Sequence, residues 1–326
     1  MRLSAPPLAR ASMVAALCVP AAMLIALTSG TSGWGWPQSD ILWLLRFPRA
    51  MAAFGVGAAL ALGGAVIQLV TRNPLGEPHV LGITGGASVG ALAALMLLPM
   101  GTRFAAEGGA ILGAMLAMTL VFTLSWRALG RGLSPVTQPG TVTVLLIGMM
   151  LSAASSALVA ILLAIASEQQ LRGLLFWLLG DLNGASLWWP VWVAAIVALL
   201  MVLPRAHELD WLARGDAWAW TLGVPVAQRR RHALAAASLA IGLAVATAGA
   251  VGFVGLVAPH VVRLCGLRSA RLLMPFSALF GGAFLVVADT VARTVVAPSQ
   301  LPVGVVSACV GVPLFVWLLL RQRSAR

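Results

Sequence analysis

Asp289 and Arg293 stand four residues apart in an otherwise apolar stretch. On a helix that spacing puts them on one face, with the acid on the N-terminal side, the favourable order for an ion pair. An acid inside a membrane segment is a functional candidate by default. The chemistry open to it is a proton relay in an ion-coupled carrier or, more simply, an interfacial ion pair; one acid near a membrane edge favours the pair. His79 and His260 each follow a proline, and only Glu77 stands at ligand spacing from either, so both read as helix-start residues rather than metal ligands. Cys18, Cys265 and Cys309 are far apart in or beside apolar segments and read as packing residues. No metal site and no bound cofactor are expected. No paired carboxylates or histidine clusters lie within the apolar segments, so an enzyme of the membrane interior has no support.

All 21 basic residues are arginine. A phosphate-binding P-loop needs a lysine that reaches the nucleotide, so ATP hydrolysis by that route is excluded. Any ATP-driven work falls to a partner, with ATP and magnesium bound there.

A second group of polar residues lies at 207–230, in HELDWLARGDAWAWTLGV (207–224) followed by Arg229-Arg230-Arg231. Glu208, Asp210 and Asp216 are three of only nine acids in the chain. A solvated loop explains the arginine triplet but not Leu209, Leu212, Trp218, Trp220 and Leu222. Short amphipathic helices that dock on a cytoplasmic partner explain them better.

The elements that must position these residues are apolar. The chain is 60% hydrophobic and 9% charged, with mean hydropathy +0.98, against about 25% charged in a soluble domain. It reads as an all-α integral membrane protein, a single transmembrane domain over 1–326 in contact with membrane lipid. Twelve Trp and no Tyr make Trp the interfacial belt. The net charge of +12 is explained by topology, below, rather than by nucleic acid.

A helix needs roughly 20 apolar residues to cross. Candidate spans are 11–29, 48–70, 79–99, 106–126, 142–166, 186–204, 271–296 and 303–320. Arg2 and Arg10 before the first span raise a signal peptide, but its length and the lack of a clean cleavage site favour retention. The 35-residue apolar run 232–266 is too long for one crossing, and Gly252, Gly255 and Pro259 offer places to break it. Two crossings, 232–251 and 254–266, give ten spans and place both termini inside. Sixteen arginines then face the cytoplasm, and Arg46, Arg49, Arg103, Arg172 and Arg293 face outward. A single crossing would nearly abolish that bias, so the positive-inside rule selects ten.

Ten spans also make sense of an internal repeat. VGAALALGGAV (56–66) and IGLAVATAGAV (241–251) match at six of eleven positions, and Pro78-His79-Val80 is echoed by Pro259-His260-Val261. The halves, about 48–166 and 232–320, then have opposite topology. Inverted repeats are expected of transporters, whose sites lie at the repeat interface. Gly82, Gly86 and Gly90 form a strip that serves either close helix approach or a smooth pathway lining. Pro139-Gly140 frees the backbone to turn before Thr141, Val142 and Thr143. Arg46 and Arg49, at i and i+3, share a face at the outer end of the second span; snorkelling anchors are one reading of them.

Five stretches carry a resemblance: 45–88, LLFWLLGDLNGAS (174–186), LDWLARGDAWAWTLGV (209–224), GAVGFVGLVAPHVVRL (249–264) and 288–321. Together they resemble the iron-chelate and cobalamin permeases of bacterial binding-protein-dependent ABC importers, over nearly the whole chain after about residue 40. The resemblance implies a type II importer permease of ten helices in the inner (cytoplasmic) membrane, working as a dimer (here a homodimer) with substrate moving along the subunit interface. It implies two separate ATPase subunits docking on 207–230, with Leu209, Asp210, Leu212, Gly215, Asp216, Leu222 and Gly223 as coupling residues. It implies a periplasmic binding protein docking on Arg46, Arg49 and Arg293, and a gate at Thr141, Val142 and Thr143. Gly76 stands where the family has Ala, Asp181 where Ser or Gly is usual, and Phe47 for a usual Leu. Ferric siderophore is the commonest cargo of such permeases, and GDAWAWTLGV is similar to that branch. RLCGL (263–267) is more similar to cobalamin permeases, and haem remains open.

Overall fold

A computed structural model describes residues 7–30, 33–77, 82–98, 103–130, 140–185 and 187–323. The helices are α1 (Pro7–Thr28), α2 (Ser39–Ile41), α3 (Phe47–Thr71), α4 (Ile83–Leu97), α5 (Arg103–Gly130), α6 (Gly140–Ile165) and α7 (Glu168–Leu178), then α8 (Trp189–Val202), α9 (Ala206–Arg214), α10 (Asp216–Thr221), α11 (Val226–Ala248), α12 (Val254–Leu264), α13 (Ala270–Thr294) and α14 (Val303–Arg323). A minimal antiparallel hairpin, β1 (Ser29–Gly30) with β2 (Gly33–Trp34), follows α1. A π-helical turn at Leu42–Arg46 runs straight into α3.

Among the described residues, seven helical stretches are long and apolar enough to cross a membrane, and Ile83–Leu97, Val254–Leu264 and Val303–Trp317 are shorter apolar helices. At 1.5 Å per residue α4 covers about 22 Å and α12 about 16 Å, against a hydrocarbon core of about 30 Å. Neither crosses by its own length. The run 232–266 breaks as the sequence requires, but at 249–253. Gly249 terminates α11 at φ 70°, whereas Gly255 and Pro259 lie inside α12.

The core is built on α3. Its Ala- and Gly-rich surface is apolar all round, the pattern of a helix enclosed by others, and nearly every residue from Ala50 to Val70 is buried. The missing side chains set its neighbours. A Cβ on Gly57 would strike the carbonyl of Gly281 in α13, one on Gly64 the carbonyl of Gly255 in α12, and one on Gly63 the side chain of Ile241 in α11. The two copies of the sequence repeat therefore pack on each other. In membranes such close backbone approach replaces the hydrophobic drive that lipid cannot supply.

The glycine strip of α4 resolves the same way. Gly86 faces Gly113 and Gly90 faces Gly109, each pair blocking a Cβ with the other's carbonyl. It brings α4 and α5 together and leaves no lining role for these two positions. Large apolar side chains on α5, α6 and α8, such as Leu112, Met150 and Ile196, point away from the bundle. Helix α7 has no counterpart among the expected elements; it is started by a capping box of Ser167 and Gln170.

Candidate functional site

The polar residues gather at opposite ends of α3 and α13. At one end, Arg46, Arg49 and Arg293 line a single recess of about 480 Å³ with Asn183, Gly184 and Gln300. The sequence placed these arginines on one side; the structure brings them into one wall. Each is also held from within. Arg49 lays a fork on Asp289, with Nε 3.0 Å from Oδ1 and Nη2 2.9 Å from Oδ1, and its Nη1 donates to Gln300 Oε1 at 2.7 Å. Arg46 Nη1 donates to the Leu27 carbonyl at 2.8 Å, and Arg293 Nη2 donates to that of Ala26. Leu27 and Ala26 belong to the last turn of α1, where unpaired carbonyls attract cations.

Asp289 is 1% exposed, so it is buried rather than interfacial. Its principal partner is Arg49, not the i+4 neighbour: Arg293 Nε stands 3.7 Å from Oδ2 and makes no hydrogen bond. Three arginines against one acid leave the recess cationic. A carboxylate gripped by one guanidinium and flanked by a second works as a clamp between α3 and α13, and the relay reading gains nothing from it.

At the other end lies the 205–231 loop. Leu209 and Leu212 are buried, as is Ala219, so the apolar stripe of α9 faces the helices beneath it. The acids are turned to the same task. Asp210 Oδ1 accepts the Ala270 N–H at 2.7 Å, capping the first turn of α13 from another element. Asp216 accepts two bonds from Arg230 Nη2, at 2.8 and 2.9 Å, with Arg72 Nη2 3.8 Å away. Glu208 pairs with Arg229. Gly215 and Gly223 sit at φ 142° and 78°, conformations that glycine tolerates and that set the corners of α10. Trp218, Trp220 and Leu222 remain exposed.

Of the seven expected coupling residues, Leu222 alone presents a large apolar side chain outward. Leu209, Asp210, Leu212 and Asp216 build the platform, Gly215 and Gly223 shape it, and the two tryptophans complete its face. That an amphipathic segment hides its leucines and shows its tryptophans is a tertiary fact; spacing does not reveal it.

The expected gate falls in the first turns of α6, which starts at Gly140. Thr143 is half-buried; the side chains of Thr141 and Val142 lie outside the described residues. So does His79. His260 is buried with its ring edge-on to Phe315, centroids 5.6 Å apart. Among the described residues no three His, Cys, Asp or Glu side chains come together as a metal site.

Sequence reasoning missed a polar cluster at the end of α3 near the loop. Gln68, 3% exposed, donates to the carbonyls of Gly76 and Gly255 at 3.2 and 3.1 Å and accepts from Arg263 Nη1 at 2.6 Å. Glu77 Oε1 accepts the Phe253 N–H at 2.9 Å. A glutamine deep in a run of Ala, Gly and Val was the available signal.

Comparison with known proteins adds four findings. The vitamin B12 import system permease protein BtuC of Escherichia coli O9:H4 (strain HS) is 38% identical over 323 residues, covering 94% of this chain and 95% of that protein. BtuC of Shigella boydii serotype 18 (strain CDC 3083-94 / BS512) matches to the same extent. A solved chain described as an inward-facing conformation of a metal-chelate type ABC transporter matches with TM-score 0.84 at 28% identity, covering 95% of this chain and 98% of that one. A model of the FecCD transport family matches residues 9–321, and this chain belongs to that family.

Proposed function

We propose that the chain is the permease subunit of a binding-protein-dependent ABC importer, with vitamin B12 as its cargo. The observation that carries this reading is 38% identity along nearly the full length to proteins named for vitamin B12 import. It moves the cargo from the siderophore that GDAWAWTLGV (215–224) suggested to the cobalamin that RLCGL (263–267) suggested. A ferric siderophore is the second reading, favoured by the structural likeness to a metal-chelate type transporter.

The geometry fits a permease. The platform of α9 and α10 exposes Trp218 and Trp220 and is welded to the bundle through Leu209, Leu212 and Ala219, as a docking surface for an ATPase requires. Two such ATPase subunits bind ATP with magnesium, since this chain has no lysine. The cationic recess is the face for a periplasmic binding protein with acidic lobes, through Arg46, Arg49 and Arg293. Ten spans with both termini cytoplasmic, the inverted repeat, a homodimer and a gate at Thr141–Thr143 complete the reading. In it the short α4 and α12 count as partial crossings enclosed by longer helices, supported by the arginine bias.

The test is uptake by the chain co-expressed with its ATPase and binding protein in cells lacking their own importers. Radiolabelled cyanocobalamin should accumulate in an ATP-dependent manner. Accumulation of ferric siderophore instead would change the cargo. Uptake driven by a proton gradient without an ATPase would replace the importer by an ion-coupled carrier.

A further inference from the structure

Both short helices start at a left-handed N-cap. For α4 it is Gly82, at φ 75°, where glycine carries no steric cost. For α12 it is Phe253, at φ 68° and ψ −23°, where a bulky residue is a real outlier. Such strain persists only where the surroundings over-determine it, and it points from structure to function.

The surroundings are specific. The Phe253 N–H donates to Glu77 Oε1 at 2.9 Å, across 176 residues of sequence. On the other side, the Phe253 ring joins Val261 and Leu314 around Leu256, Val257 and Phe315, an apolar cluster separate from the main core that links α12 to α14. Gly311 of α14 leaves room for the Phe253 Cβ. A glycine at 253 would take up this conformation freely but would remove the ring from that cluster. The carboxylate of Glu77 is the alternative means of holding the turn.

We propose that Glu77 is a positioning residue for the transport step: it holds Phe253 left-handed, and so fixes α12 and its ring contact on α14 against the loop that ends α3. This rests on the permease reading. A carboxylate oxygen is a strong acceptor for a backbone N–H, and Gln68 ties the same loop to Gly255 and Arg263. The α11–α12 break therefore moves with the 73–77 loop.

Two measurements test it. In amide hydrogen exchange on the purified chain, Glu77→Ala should speed exchange at 253–257 about tenfold, the scale of one lost hydrogen bond; Glu77→Gln, which keeps the acceptor, should stay near wild type. In reconstituted uptake with labelled cyanocobalamin, Glu77→Ala should lower the maximal rate several-fold at unchanged half-saturating binding protein. In a Phe253→Gly background, where the left-handed turn carries no steric cost, it should have no further effect on that rate. Unchanged exchange in Glu77→Ala, or an equal loss of transport rate in both backgrounds, overturns the proposal. Wild-type protein inactive toward every chelate would sink the permease reading instead, and the exchange data would still decide this one.

Discussion

Arg49 and Asp289 lie 240 residues apart in the chain and meet as a fork on a carboxylate, with Nε 3.0 Å from one oxygen and 3.1 Å from the other. The pair closes the first half of the sequence on the second at the arginine-rich end of the bundle. Asp289 also stands 3.7 Å from Arg293, so its loss removes that counter-charge from both arginines.

Asp289→Ala should destabilise the folded chain by about 3–5 kcal/mol, the cost of removing one partner from a buried pair. Asp289→Leu combined with Arg49→Met should cost less than Asp289→Ala alone. Thermal unfolding in detergent or nanodiscs checks the order; a double variant worse than the single one would contradict the clamp.

Arg46 is the arginine to vary in a docking test, because Arg49 is part of the clamp on Asp289. Arg46 is buried in the wall of the recess, 8% exposed; Arg46→Gln alone should slow association of the loaded binding protein and flatten its salt dependence, as loss of a steering charge does. Surface plasmon resonance at two ionic strengths measures both. Unchanged association with the fold intact would leave Arg46 as a helix-end anchor on α1.

On the loop, Asp210 and the tryptophans should separate. Asp210→Ala should cost about 1 kcal/mol of stability through the lost cap on α13. Trp218→Ala with Trp220→Ala should leave thermal stability unchanged and weaken ATPase recruitment in a pull-down at least several-fold. Equal recruitment would remove the tryptophans from the docking face.

Gly90 and Gly108 offer a matched pair on adjoining helices. Gly90→Ala should destabilise by about 1–3 kcal/mol, since its Cβ meets the Gly109 backbone. Gly108→Ala, with nothing within 4 Å, should be neutral or slightly stabilising, as Ala outranks Gly in a helix. Thermal melts of the two variants are the measurement.

These residues also show how far the sequence could be read. The apolar runs and the need to break 232–266 were visible because lipid demands continuous apolar segments, and glycines marked where helices approach. Family membership was legible in local motifs such as 209–224. Partner choice was not. Asp289 seemed paired with Arg293 because i+4 neighbours are all that spacing reveals, whereas Arg49 reaches it only through packing of α3 on α13. The acids at 210 and 216 resembled contact residues for the same reason: their inward partners, Ala270 N–H and Arg230, are set by the fold. The α7 helix escaped because its cap, Ser167 with Gln170, is short and polar, unlike a span.

The cap on Ala270 has a mechanical meaning. Helix α13 is about 37 Å long at 1.5 Å per residue, begins under Asp210 and carries Asp289 and Arg293 in its last two turns. It is a single lever with a handle at each end. A push on the α9–α10 platform that keeps the 2.7 Å bond to Ala270 must shift, tilt or bend that lever, and the recess wall is its far tip.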